Sequence, residues 1–251
     1  MKKIIWTLFI CFIFLSCHQK QEEKLNIAVA ANMQFAMKEL VKTFTQETEI
    51  SCELIISSSG KLTAQIKEGA PFDVFVSANM KYPTELFETG YTIEKPQVYA
   101  YGKLVLWSMF DHITPSIELL RSPEVRHIVL ANPKMAPYGA ASMEVINHYN
   151  MNTELQDKLV FGESIAQTNQ FIISKSAEVG FTAKSVVLAS KLKNQGHWID
   201  IDDIYTPIAQ GVVIIKQQNN LQPQAEKFYH FLFSNTAQKI LQNYGYATIQ
   251  N

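Results

Sequence analysis

Four stretches of this sequence put small donor-bearing residues where a strand would run into a helix. They are Ala31-Asn32, Ser57-Ser58-Ser59-Gly60-Lys61, Pro137-Tyr138-Gly139 and Gly162-Glu163-Ser164-Ile165. The first N–H groups of a helix have no carbonyl to bond. Together with serine hydroxyls and the positive end of the helix dipole they form a cradle for an anion. A serine at such a place can equally be an ordinary N-cap, so no single stretch decides the matter. Their recurrence, two in each half of the chain, points to a ligand gripped between two halves.

Other chemistry finds less support. Ser59 lacks the Gly-x-Ser-x-Gly frame of a nucleophile elbow, which leaves a secreted serine hydrolase as a weak alternative. The six histidines, His18, His112, His127, His148, His197 and His230, are scattered and show no metal-ligand spacing. Gly60-Lys61 resembles the end of a phosphate-binding P-loop, but the earlier glycine and the following Ser or Thr are missing. Asp73 and Glu163 lie near strand ends with nothing that pairs them as acid and base.

The elements that would position these residues alternate. Leu25–Ala30 reads as a strand, with Asn32 at the N-cap position of a helix whose Met33, Ala36, Met37, Leu40, Val41 and Phe44 share one face. Cys52–Ile56 is a second strand, feeding a helix that carries Leu62 and Ile66 and ends near Gly69; Asp73–Ser77 is a third. A helix over 82–88 and a strand over 103–107 follow. The second half repeats the scheme with strands at 127–131, 159–161 and 178–183. Between them lie a helix bearing Ala141, Val145 and Tyr149 and another, capped by Ser164, bearing Ile165, Thr168 and Ile172. Gly180 inside its strand marks a close approach to the backbone. Strands at 198–201 and 211–215 and two closing helices, broken at Ser234-Asn235, complete the chain. Alternating strands and helices predict an α/β fold with mainly parallel sheets, whose ligands bind beyond the carboxyl ends of the strands.

The chain has 251 residues, 47% of them hydrophobic and 18% charged, enough for a sizeable core in one large domain or two small ones. A formal net charge of -1 and the lack of a basic run after residue 3 give no reason to expect nucleic acid as a partner. Lys2 and Lys3 precede an apolar run from Ile4 to Leu15, too short for a stable membrane span and suited to the core of a signal peptide. The run ends Phe14-Leu15-Ser16-Cys17, which resembles a lipoprotein cleavage box, although Phe14 stands where Leu is commoner. The expected division is therefore a leader over 1–16, a lipidated Cys17 opening a polar tether over 17–24, and an exported protein lipid-anchored to a membrane. The competing reading of Cys17 is a cysteine beside an ordinary cleavage site. Only Cys52 is left in the folded part, where it reads as a small core residue.

Taken in order, several segments resemble the ModA family, the molybdate-binding periplasmic solute-binding proteins of bacterial ABC transporters. They are Ala28-Val29-Ala30-Ala31-Asn32, Ser58-Ser59-Gly60-Lys61-Leu62, Gly69-Ala70-Pro71 and Asp73-Val74-Phe75-Val76-Ser77-Ala78. Farther on come Pro137-Tyr138-Gly139, Glu163-Ser164-Ile165-Ala166-Gln167, Val179-Gly180-Phe181-Thr182-Ala183 and Tyr244-Gly245-Tyr246. The resemblance implies a two-lobed (type II) fold, each lobe a mainly parallel sheet flanked by helices. Lobe 1 would cover 25–104, an inserted lobe 2 would cover 105–205, and 206–251 would return to lobe 1. It implies a monomeric, non-enzymatic protein without a cofactor that binds molybdate, and tungstate with it, and passes the ion to a permease; another oxyanion such as sulfate is the alternative. Asn32 and Ser59 would donate through side chain and backbone, with Ala31, Tyr138 and Ile165 adding amides. Some members carry a ligating Tyr where Ala183 stands; the two side-chain N–H donors of Asn32 are expected to compensate.

Overall fold

Leu25–Ala30 (β1) is buried along nearly its whole length, as a strand covered on both faces of a parallel sheet must be. The computed structural model describes residues 24–202 and 204–249. The expected leader, Cys17 and the tether up to residue 23 lie outside the described residues.

A 3-10 turn over Ala31–Met33 joins β1 to the helix Gln34–Thr48 (α1). Cys52–Ser57 (β2) leads into Ser59–Lys67 (α2), and Val74–Ser77 (β3) is followed by Lys81–Glu88 (α3). The central β1 pairs in parallel with β2 on one side and β3 on the other. Gln97–Gly102 (β4) belongs to this first sheet, whereas Leu104–Ser108 (β5), one residue later, belongs to a second.

In the second sheet Ile128–Ala131 (β6) is flanked in parallel by Leu159–Gly162 (β7) and Val179–Ala183 (β8). Pro137–His148 (α4) follows β6, a short Asn152–Leu155 (α5) precedes β7, and Ile165–Ile173 (α6) follows β7. Lys184–Val187 (α7) follows β8, and His197–Asp200 (β9) forms the edge beyond β5. The chain then returns to the first sheet as Ile208–Ile214 (β10), packs Gln222–Phe231 (α8) and Asn235–Asn243 (α9), and ends in the two-residue Ala247–Thr248 (β11).

Each sheet thus has a parallel trio, extended by antiparallel strands: β10, β4 and β11 in the first, β5 and β9 in the second. The α/β plan in two lobes holds, with mixed sheets where the sequence pattern suggested mainly parallel ones. The run from Gln97 to Ser108 is divided between two sheets at Lys103, in the stretch where the resemblance set the end of lobe 1 at residue 104, whereas β11, too short to carry a pattern, went unseen in the sequence. The two crossings are tied together, since the Leu104 amide donates to the Tyr205 hydroxyl at 2.9 Å.

Two apolar clusters cover the faces of the first sheet. One, with α1, α8 and α9, includes an edge-to-face pair of Phe44 and Phe228 at 5.1 Å between centroids. The other lies under α2 and α3. The core of the second lobe extends to Ala30, Ala31 and Ala78 of the first, so the lobes are packed against each other at the strand ends. Gly180 is where the sequence placed a close approach: a Cβ there would meet Val129 and Ile172 side chains at 2.5 and 2.6 Å. Cys52 is half-buried at the start of β2, and burial pushes its thiol up to about 12.

Candidate functional site

Strand register brings the first-lobe candidates to one place. Ala30 pairs level with Ser57, and Val29 with Val76, so the residues after β1, β2 and β3 emerge side by side at the carboxyl end of the sheet. Ser58 is the cap of α2: its backbone is extended and its side chain accepts from the Lys61 amide at 3.4 Å. Ser59 is the first helical residue, 1% exposed, and its Oγ accepts from the Ala78 amide at 3.0 Å. That bond uses a lone pair and leaves the hydroxyl proton for another acceptor.

Asn32 is likewise 1% exposed, but it is no N-cap. It sits inside the 3-10 turn; Met33 precedes α1 in a helical conformation and makes no side-chain cap bond. Asn32 Nδ2 donates to Gln210 Oε1 at 2.8 Å and to the Tyr246 hydroxyl at 3.0 Å. The orientation of Gln210 is fixed because its Nε2 donates to Ile208 O at 3.1 Å and Ala78 O at 3.3 Å. Both side-chain hydrogens of Asn32 are therefore spent inside the protein, contrary to the expectation that they face a ligand, and the Asn32 backbone amide is the donor left over.

The second lobe supplies two more helix starts. Ala131 pairs level with Gly162, so the segments leading to α4 and α6 leave the same end of that sheet. Pro137 opens α4, with Tyr138 next; Ser164 caps α6 by accepting from the Gln167 amide at 3.4 Å, and Ile165 is the first helical residue. The amides of Ser59, Tyr138 and Ile165 thus lie in first turns, where the helical ladder offers no acceptor. Ile165 is 4% exposed, and α6 packs on the turn that carries Ala31 and Asn32.

The Tyr138 ring does not end at the helix. It reaches the strand on which the chain changes sheets, where a Cβ on Gly102 would stand 2.0 Å from its hydroxyl. This hydroxyl approaches the Asn32 carboxamide without a hydrogen bond of good geometry. Burial, reinforced by the phenols of Tyr246, Tyr205 and Tyr99, holds it well above the usual phenol range, so it is a neutral group.

The lobes are closed on these residues. Gly60 N donates to Met135 O at 2.9 Å, Tyr82 Oη to Lys134 O at 3.2 Å, and Ser185 Oγ to Asn32 O at 2.8 Å. At the rim Lys61 Nζ meets Glu163 Oε2 at 2.5 Å, a pairing of two residues that the sequence left unconnected. The Ser59 hydroxyl and the amides of Ser59, Tyr138 and Ile165 lie at helix starts beside the junction, and neutral donors of this kind can replace the hydration of an anion without a fixed countercharge. Among the described residues no group of three or more His, Cys, Asp or Glu could hold a metal. The described histidines, 112, 127, 148, 197 and 230, are exposed, and none of them hydrogen-bonds Ser59 as the base of a serine hydrolase would.

Sequence reasoning missed Gln210, Tyr246 and Ser185 as supports of the site. Gln210 carried a signal, a polar residue in an apolar strand beside Gly211; Ser185 carried none beyond its place just after β8.

The chain matches the family of bacterial extracellular solute-binding proteins over residues 25–247. It is 37% identical over 223 residues to the molybdate-binding protein ModA of Rhodobacter capsulatus, covering 88% of this chain and 87% of that one. To the molybdate-binding protein ModA of Azotobacter vinelandii it is 35% identical over 229 residues, covering 90% of each. The solved structure of the periplasmic molybdate-binding protein of Azotobacter vinelandii superposes with a TM-score of 0.86 at 31% identity, covering 90% of this chain and 100% of that one.

Proposed function

This chain belongs to the ModA family of bacterial extracellular solute-binding proteins, and from that premise we propose that it captures molybdate, and tungstate with it, between its two lobes for delivery to an ABC permease. It acts as a binding component of a transporter and not as an enzyme, and needs no cofactor. The observation that carries the reading is the meeting of three helix starts, at Ser59, Tyr138 and Ile165, with the Asn32 turn in a buried, closed interface of neutral donors.

In this reading the Ser59 hydroxyl and the amides of Ala31, Asn32, Ser59, Tyr138 and Ile165 surround the four oxygens of the ion. Helix-start amides favour the dianion through the dipole and add no countercharge, so binding stays reversible. Selection between oxyanions rests on size: metal–oxygen bonds are longer than the S–O bonds of sulfate, and donors held apart by rigid helix starts suit the larger ion. Calorimetric titration with molybdate, tungstate, sulfate and phosphate tests this. Heat with molybdate and tungstate is expected; heat with sulfate or phosphate alone would overturn it.

The same reading makes the protein a monomer exported from the cytoplasm and tethered through lipid on Cys17. No helix among the described residues is long and apolar enough to cross a membrane. Cys17→Ala should move the protein from the membrane fraction to the soluble one, and an unchanged distribution would count against the tether.

A further inference from the structure

The carbonyl of Asn32 has two hydroxyls within hydrogen-bond distance. Ser185 Oγ donates to it at 2.8 Å from the second lobe, and the Tyr246 hydroxyl stands 3.1 Å from it on the C-terminal segment of the first. The two hydroxyls are themselves 3.0 Å apart, and Tyr246 also accepts from Asn32 Nδ2 at 3.0 Å. All three residues are buried, with exposures of 1% for Asn32, 2% for Ser185 and 4% for Tyr246.

Each hydroxyl has one proton to give; Ser185 gives its own to Asn32 O, and Tyr246, within reach of both Asn32 O and Ser185 Oγ, closes a directed ring when it donates to Ser185. In that ring Asn32 Nδ2 donates to Tyr246, Tyr246 to Ser185, and Ser185 back to Asn32 O. Bonds in such a chain reinforce one another where water is excluded. Two members, Asn32 and Tyr246, belong to the first lobe and stay together whatever the cleft does. Ser185 belongs to the second, at the start of α7 just after β8. Ser185 is thus the one member of the ring that a parting of the lobes would draw away.

From this geometry we infer that Ser185 and Tyr246 are positioning residues that latch the closed state by clamping the backbone of Asn32, and so set how long the ion is retained. The inference rests on the proposed placement of the ion beside Asn32. The ring exists only in the closed state and therefore acts on dissociation; capture by the open cleft does not involve it.

The test is stopped-flow kinetics with molybdate on the wild type, Ser185→Ala, Tyr246→Phe and the double variant. Loss of one buried hydrogen bond should raise the dissociation rate by about 3- to 10-fold, with association within about twofold of wild type. The double variant should fall short of the product of the singles, because both act through one ring. Ser185→Ala should leave the melting temperature of the ligand-free protein unchanged, which separates a latch from a merely structural contact. A dissociation rate unchanged in both single variants, or an effect confined to association, overturns the inference. Spin labels across the cleft give a readout that needs no ligand: Ser185→Ala should lower the closed fraction, and an unchanged distance distribution overturns the latch. Absence of binding by the wild type to any oxyanion counts against the proposed function instead, and the label distances then decide the latch.

Discussion

Ser58 and Ser59 are neighbours with different work, and single substitutions separate them. Ser58 caps α2, so Ser58→Ala should cost about 0.5–2 kcal/mol of stability. Its effect on binding should be indirect. Ser59 accepts from a buried amide and retains its proton for a ligand. Ser59→Ala should therefore weaken oxyanion binding by about 1–3 kcal/mol, the scale of a charge-assisted hydrogen bond. Calorimetry of both variants against molybdate checks the contrast; equal losses would show that Ser59, too, acts only through the helix. Gly102 poses a different question of space. A Cβ there meets the Tyr138 hydroxyl at 2.0 Å and Gln210 Nε2 at 2.9 Å, so Gly102→Ala should destabilise by about 1–3 kcal/mol. Adding Tyr138→Phe removes the closest clash and should restore part of the loss, as thermal unfolding of the single and double variants can read.

At the scale of elements, β8 is anchored at its start by Glu178, which is 8% exposed. Its carboxylate accepts from the His127 amide at 2.7 Å and the Arg126 amide at 3.1 Å, and its backbone carbonyl accepts from Ser108 Oγ at 2.7 Å. Burial alone would raise its titration point, but these amide donors, with the His127 ring nearby, outweigh it and hold the carboxyl below the usual carboxylate range. A depressed folded value means stability present above the unfolded value and lost as pH falls through the folded one. Glu178→Gln should thus lower the melting temperature at neutral pH, and the gap from wild type should close in acid; a gap independent of pH would refute the assignment. The amphipathic helices and the short buried strands were legible in the sequence because their patterns are local, as in Met33 to Phe44 along α1. The donor-bearing helix starts were legible for the same reason. The supports of Asn32 were not: Gln210, Ser185 and Tyr246 reach it across 178, 153 and 214 positions, and no local pattern records such meetings. Nor does any local rule say that the run from Gln97 to Ser108 changes sheets at Lys103, where only the resemblance suggested a lobe boundary, or that the chain after β1 makes a 3-10 turn in place of a capped helix start.

At the scale of the whole molecule, closure joins contacts of two physical kinds, and kinetics should tell them apart. Lys61 and Glu163 meet at the rim with 40% and 66% of their side-chain surface exposed, so their pairing is screened by solvent and adds little to the stability of the closed state. Before closure Lys61 stands as a positive charge one turn or less from the start of α2, where an incoming dianion is drawn. Glu163, on the opposite lip, opposes that pull. Lys61→Met should therefore slow association of molybdate and Glu163→Gln should speed it, each leaving dissociation nearly unchanged. Both effects should shrink as ionic strength rises, because the Debye length falls to about 8 Å at physiological salt and about 3 Å at 1 M. The buried ring at Asn32 responds in the opposite way, with dissociation altered, association unchanged and little dependence on salt. Stopped-flow traces across a salt series therefore assign each contact to capture or to retention. If Lys61→Met changed dissociation alone, the rim pair would belong with the latch, and steering by Lys61 would have to be given up.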